Sequence, residues 1–289
     1  MTAATAQNEP AVETATLTAG RPGRRRRDRS VDPIPWWLIV IGVAVALYFV
    51  LPTIFVIPMS FGGSGSFQFP PREWSLDLYR NFFTNPKWIG SLGNSLLVAV
   101  LASLLATVVG TAAAVGLYAL SGRLAQFLRT LLMVSMVTPA IVVAVAVYIS
   151  FLQWHLVGSV WGYVLAHAAL GVPFVLVSVT SSLGGFDARL LRASASLGAS
   201  PARTFLRITL PLIGRGVLTG AIFAFVTSLD EVVIALFLRS PTFQTLPVQM
   251  YTAVTVEVDP TIAASSSLVV VTVTLLLLVP LFVRRTRRR

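Results

Sequence analysis

The chain has no cysteine and only two histidines, His155 and His167. The first absence excludes a disulfide framework, thiolate chemistry and Cys-ligated zinc. The second leaves no His cluster for a metal, so no metal site or other cofactor is expected. Charge is also scarce. Only 11% of the 289 residues are charged and 55% are hydrophobic, with a mean hydropathy of +0.81. Soluble domains carry about 25% charged residues. A chain this poor in charge cannot cover a water-facing surface, so a bilayer must solvate most of it. Acids are the scarcest charged group: 11 Asp and Glu against 22 Lys and Arg. The resulting +11 does not point to nucleic acid, because the cations cluster beside apolar runs. Six arginines lie within residues 21–29 and five within 284–289. They read as anchors to anionic lipid.

Crossing roughly 30 Å of hydrocarbon takes about 20 apolar residues. Six runs qualify: 36–59, 94–120, 127–152, 158–183, 214–238 and 262–283. The fold class is therefore an all-α membrane protein with six transmembrane helices. Residues 1–33 form a basic tail expected to be disordered, 34–283 the membrane domain, and 284–289 a second basic tail. The first run is longer than the apolar core of a secretory signal and lacks a small-residue cleavage site, so it is expected to be retained. Prolines 52, 58, 139 and 173 fall inside spans and predict kinks. Gly110, Ala114 and Gly116 predict close helix packing in the second span.

Arg and Lys set the orientation. Eighteen of the 22 lie on the side of the two termini, the 121–129 turn and the 184–216 loop. The other side holds Arg72, Arg80, Lys87 and Arg239. With an even span number, this asymmetry places both termini in the cytoplasm.

The 184–213 loop carries structural punctuation. Asp187 is placed to cap a helix beginning near Ala188. Gly198 stands where a left-handed residue would end it. Ser200-Pro201 is an N-cap followed by Pro at the first helical position, and the second helix is expected to stop at Pro211. The result is two short helices on the cytoplasmic side. Lying on lipid headgroups and docking to a partner are both open for such a pair.

Two acids, Asp230 and Glu231, lie inside the fifth run. A mid-membrane carboxylate costs roughly 2.5–3.5 kcal/mol, which makes it a functional candidate by default. On a continuous helix, neighbours point about 100° apart, so one acid is expected to face a pathway and the other the bundle or a partner subunit. Ionised, they would accept hydrogen bonds from a cationic amine. Internal pairing with Ser228, Thr227 or a basic partner is the competing role. His167 reads as a bundle hydrogen-bonding residue. The aromatics of 61–91, notably Trp74, Tyr79, Phe82, Phe83 and Trp88, read as an interfacial belt or a contact for a delivery protein.

Leu197-Gly198 and, after nine further residues, Ile208-Thr209-Leu210-Pro211 resemble the loop signature of the inner-membrane permeases of bacterial binding-protein-dependent ABC importers. In that signature an upstream Glu-Ala-Ala triplet corresponds to Arg192-Ala193-Ser194 here. Gly198, Leu210 and Pro211 match it, whereas Arg192 reverses the usual charge. Asn94-Ser95-Leu96-Leu97-Val98 is also typical of these permeases. Ser228-Leu229-Asp230-Glu231-Val232-Val233 and Thr245-Leu246-Pro247-Val248-Gln249-Met250-Tyr251 are similar to the spermidine/putrescine-type subgroup. Some members of that subgroup carry an acid after the third-span proline, where this chain has Ala140.

The resemblance implies a type I permease fold and a non-catalytic subunit that couples to a separate ATP-binding subunit through Arg192, Ala193, Ser194, Gly198, Ile208, Leu210 and Pro211. It implies a second permease subunit, identical or distinct, and an extracytoplasmic solute-binding protein. It also implies a pathway involving Asp230, Glu231 and Ser228 for a small solute, a polyamine or related amine. The sequence has no phosphate-binding Gly-Lys-Ser/Thr loop, so ATP would bind elsewhere. The alternative is an ion-coupled secondary transporter using the same acids. Six spans without an evident repeat, and the structured loop, weigh against it.

Overall fold

A computed structural model describes residues 35–63 and 69–286, with side chains described to 276. The two basic tails, apart from the start of the second, lie outside the described residues. The chain divides into two contact units, 1–47 and 48–289, and the boundary falls inside the first helix.

That helix, α1 (Trp36–Met59), coincides with the first expected span. A short helix, α2 (Asp77–Thr84), follows. Asn85 then caps α3 (Pro86–Ala119), its side chain accepting from Lys87 N–H at 3.0 Å. The cap and Pro86 start this helix well before Asn94, so the second span is longer than its apolar run alone predicts.

The third expected span is not one kinked helix. It is α4 (Gly122–Val137) and α5 (Ala140–Gln153), bent by 103°. Pro139 supplies no N–H and disfavours helical backbone at the residue before it, and Thr138 is extended (φ −71°, ψ 133°). Next comes α6 (Val160–Leu183), capped by Ser159, whose Oγ accepts from Gly162 N–H at 3.0 Å.

The loop region holds α7 (Arg189–Ser196) and α8 (Pro201–Thr204). A widened turn over Phe205–Thr209 leads into α9 (Leu210–Asp230). The second loop helix therefore does not stop at Pro211. In the wide turn Leu210 N–H reaches back five residues to Phe205 O. That wider spacing relieves the clash and missing donor a proline would otherwise impose, so Pro201–Asp230 runs as one helical stretch.

The fifth span is broken as well. Beyond α9, Glu231 is extended (ψ 111°), and α10 (Val233–Leu238) starts afresh. The remaining elements are α11 (Leu246–Thr252) and α12 (Thr261–Thr286).

Among the described residues, α1, α3, α6 and Pro201–Asp230 are each long and apolar enough to cross a membrane. The bent α4–α5 pair makes a fifth crossing if counted as one. The sixth expected span falls on α12, whose described apolar stretch is Thr261–Leu276.

Helices α3, α6 and α9 form the centre. A Cβ on Gly110 would sit 2.7 Å from Val175 Cβ, and one on Gly220 would sit 2.7 Å from Val175 Cα. Only the missing side chains let these backbones approach. Gly110 and Ala114 thus pack as expected, whereas Gly116 meets nothing within 4 Å. Around these contacts a cluster including Leu117, Val175, Leu183 and Ile213 fills the end of the bundle nearest the loop. A second cluster at the opposite end joins α5, α6 and α10 through Ala144, Tyr163, Ile234 and Leu238.

Candidate solute pathway and coupling loop

The break after α9 separates the two neighbouring acids. Glu231 turns back on the new helix, its Oε1 accepting from Ile234 N–H at 2.8 Å. It replaces an acceptor lost when the helical ladder is interrupted. The continuous-helix geometry expected for the pair does not apply, because Glu231 is off the helix. Asp230 is exposed and makes no such contact; it lines a cavity of about 640 Å³. The end of a helix also carries unpaired carbonyls and partial negative charge. Carboxylate and helix end therefore act together on anything cationic in that cavity.

The walls are mostly apolar, with the hydroxyls of Thr255 and Thr272 among them. Phe82 and Phe83 come from α2, Leu92 and Leu96 from α3, Met250 and Tyr251 from α11, and Leu268 and Val269 from α12. Ser95 lines it too, and its Oγ accepts from Leu246 N–H at 2.8 Å. One residue earlier, Asn94 Nδ2 donates to Gln244 O at 3.0 Å. The segments Asn94–Val98, Ser228–Val233 and Thr245–Tyr251 are far apart in sequence, yet here they meet around one cavity.

Ser228 does not join Asp230. It is buried, with its Oγ 2.8 Å from His167 Nδ1. This places Ser228 between α6 and α9 and gives His167 the bundle hydrogen bond expected of it. The aromatics also divide. Trp88 and Phe82 are buried with Leu246 and Ala253, and Trp88 Nε1 donates to Asp259 Oδ2 at 2.9 Å. They are core residues, not a lipid-facing belt; Trp74 and Phe83 stay exposed. Composition gave no sign that Phe82, Phe83, Met250 and Tyr251 would line one cavity with Asp230. The nearest signal was the resemblance of the 245–251 run.

In the loop the local chemistry is as the sequence predicts. Asp187 Oδ1 accepts from Arg189 N–H at 2.9 Å. Gly198 is left-handed at φ +75°, a backbone that glycine adopts without steric cost. Ser200 Oγ accepts from Arg203 N–H at 3.4 Å. Ser194 is buried, and its hydroxyl pairs with Thr204 Oγ1 at 2.7 Å, tying α7 to α8. Arg192, Ala193, Gly198 and Pro211 are exposed, while Ile208 and Leu210 are half-buried. Exposed Leu190, Leu197 and Leu206 share this surface with Arg189, Arg192, Arg203 and Arg207.

Known proteins place this arrangement. The family described as "binding-protein-dependent transport system inner membrane component" matches residues 106–288. The chain belongs to this family. The permease is 30% identical over 246 residues to the spermidine/putrescine transport system permease protein PotC of Escherichia coli K12, covering 85% of this chain and 93% of that one. It is 28% identical over 243 residues to the putrescine transport system permease protein PotI of the same organism, covering 81% and 85%. A solved bacterial ABC transporter that imports the acidic polysaccharide alginate has the same fold. Its TM-score is 0.63 at 16% identity, covering 88% of this chain and 96% of that one.

The permease is thus a multi-pass inner-membrane subunit of an ATP-driven importer with the type I permease fold. Membership of this family decides against the ion-coupled secondary transporter.

Proposed function

We propose that the permease carries a small cationic amine, a polyamine or a related compound, past Asp230 into the cytoplasm. The observation that carries this reading is an exposed carboxylate at a helix end, the one carboxylate among the described residues lining a mostly apolar cavity. The names of the relatives support it: PotC and PotI are transport permeases for spermidine and putrescine, or for putrescine. Glu231 and Ser228 hold the pathway rather than line it, Glu231 by starting α10 and Ser228 through His167.

The α7–α8 pair is the surface on which a separate ATP-binding subunit pulls, with both termini and this loop in the cytoplasm. The permease itself is non-catalytic. It works beside a second permease subunit, identical or distinct, and receives solute from an extracytoplasmic binding protein. Arg192, Ala193, Ser194, Gly198, Ile208, Leu210 and Pro211 make or shape the docking surface.

The test is uptake of labelled putrescine and simple monoamines into proteoliposomes holding the complete importer. Asp230→Asn is expected to lower uptake about tenfold or more with assembly intact. Gly198→Val is expected to lose the ATP-binding subunit on purification. Uptake unchanged by Asp230→Asn removes the carboxylate from the pathway.

A further inference from the structure

An apolar cavity holding a carboxylate has a charge capacity, and that capacity limits its ligand. Asp230 is the sole carboxylate among the cavity's described lining residues, and no Lys, Arg or His lines it. The neighbouring acids are engaged elsewhere. Glu231 accepts from Ile234 N–H. Asp259 accepts from Trp88 Nε1 and from Thr261 N–H. Glu257 is paired with Lys87 at 2.7 Å. Position 140, beside the α4–α5 bend, is alanine.

We infer that this cavity takes a singly charged amine with an apolar body: the ammonium at Asp230, the body against Phe83, Leu92, Leu96, Met250 and Tyr251. The inference rests on the amine pathway proposed above and narrows it. One ammonium meets the carboxylate and the unpaired carbonyls at the end of α9. A second or third ammonium, carried a few carbons further, would reach a mostly apolar wall whose polar groups, on Ser95, Tyr251, Thr255 and Thr272, are neutral hydroxyls. There it would lose water and gain no second carboxylate, which is costly for an ion. An alkyl or aryl body gains on the same wall. The size fits, since small-molecule pockets run from about 300 to 1,000 Å³.

The absence of native cysteine provides a clean reporter. Met250→Cys puts one thiol in the cavity of an otherwise cysteine-free chain, and maleimide labelling of the complete importer in proteoliposomes reads its access. Butylamine, hexylamine and phenethylamine are expected to slow labelling, with the half-protecting concentration falling about fourfold per added methylene. Putrescine and spermidine should need more than about tenfold higher concentrations than hexylamine. Asp230→Asn should raise the hexylamine requirement at least about tenfold. Asp230→Glu should retain protection and so separate loss of charge from loss of fold.

If putrescine or spermidine protects better than hexylamine, and Asp230→Asn still abolishes that protection, the single-charge inference fails and the amine pathway stands. If uncharged hexanol protects as well as hexylamine and Asp230→Asn changes nothing, the groove holds lipid and both readings fall. If the thiol is blocked before any amine is added, a subunit covers the groove and the inference is overturned.

Discussion

The two ends of the helix bundle are held by different physics. Near the α7–α8 loop, α3, α6 and α9 meet through glycines and alanines, with backbones in direct contact at Gly110, Gly220 and Val175. At the other end, α5, α10 and α11 are short pieces between breaks. An apolar cluster joins α5 and α10 to α6, and α10, α11 and the segment before α11 are further tied by single polar groups: Ser95 to Leu246, Asn94 to Gln244, Tyr163 to Ala235 and Glu231 to Ile234. Close packing offers few alternative arrangements, because a dense core resists small displacements. Individual hydrogen bonds can break and re-form. On the docking surface and pathway proposed above, the loop end would transmit a pull and the broken end would open and close around Asp230.

The largest effect should come from spoiling the close-packed end. At Gly220 even a methyl group would sit 2.7 Å from Val175 Cα, which is backbone and cannot swing aside. Gly220→Val should lower stability by about 3 kcal/mol, read as a lower thermal unfolding midpoint of the purified permease in detergent. Gly116→Ala on the same α3–α6–α9 unit, where nothing lies within 4 Å, should leave that midpoint the same or raise it slightly. Equal behaviour of the two variants would mean that the small-residue contacts do not hold this end together.

At the broken end a single hydroxyl carries a comparable job. Ser95→Ala leaves Leu246 N–H buried without an acceptor, at a cost of about 2 kcal/mol. The expected signature is local: faster amide hydrogen exchange over 244–252, with little change in α6 or the loop end of α9. Uniform destabilisation along the chain would show that the two ends form one cooperative unit and would remove the contrast drawn above.

The legibility of these regions in the sequence follows the same division. Caps and turns are local, so Asp187, Gly198 and Ser200 could be read directly from the residues within three or four positions of them. The first span was legible because an uninterrupted apolar run has one outcome in a bilayer. The breaks were not legible as breaks. Pro139 signalled a kink, but a 103° bend depends on what α5 packs against. Nothing local marked Glu231 as the end of α9, since Ser228–Leu238 reads as a continuation. The cavity was least legible, because it is assembled from α2, α3, α9, α11 and α12 at separations no periodicity reports. Trp88 and Phe82 illustrate the same limit: aromatic content between spans says lipid interface, while tertiary packing makes them core.

The smallest predicted effect concerns the loop, where the structure assigns Ser194 a specific partner. Its hydroxyl and that of Thr204 are buried against each other at 2.7 Å, joining α7 to α8 across the left-handed turn at Gly198. Removing one hydroxyl orphans the other, whereas removing both leaves no unsatisfied group. Ser194→Ala should therefore cost about 1 kcal/mol. Ser194→Ala combined with Thr204→Val should recover most of that loss, because the branched valine keeps the volume of threonine. A double-mutant cycle on unfolding midpoints isolates the coupling. Additive losses would mean that the two helices are positioned by Gly198 and the Ser200 cap alone. A clear coupling would mean that the hydroxyl pair joins α7 to α8; on the docking surface proposed above, the double variant would then keep its fold while binding an ATP-binding subunit less tightly.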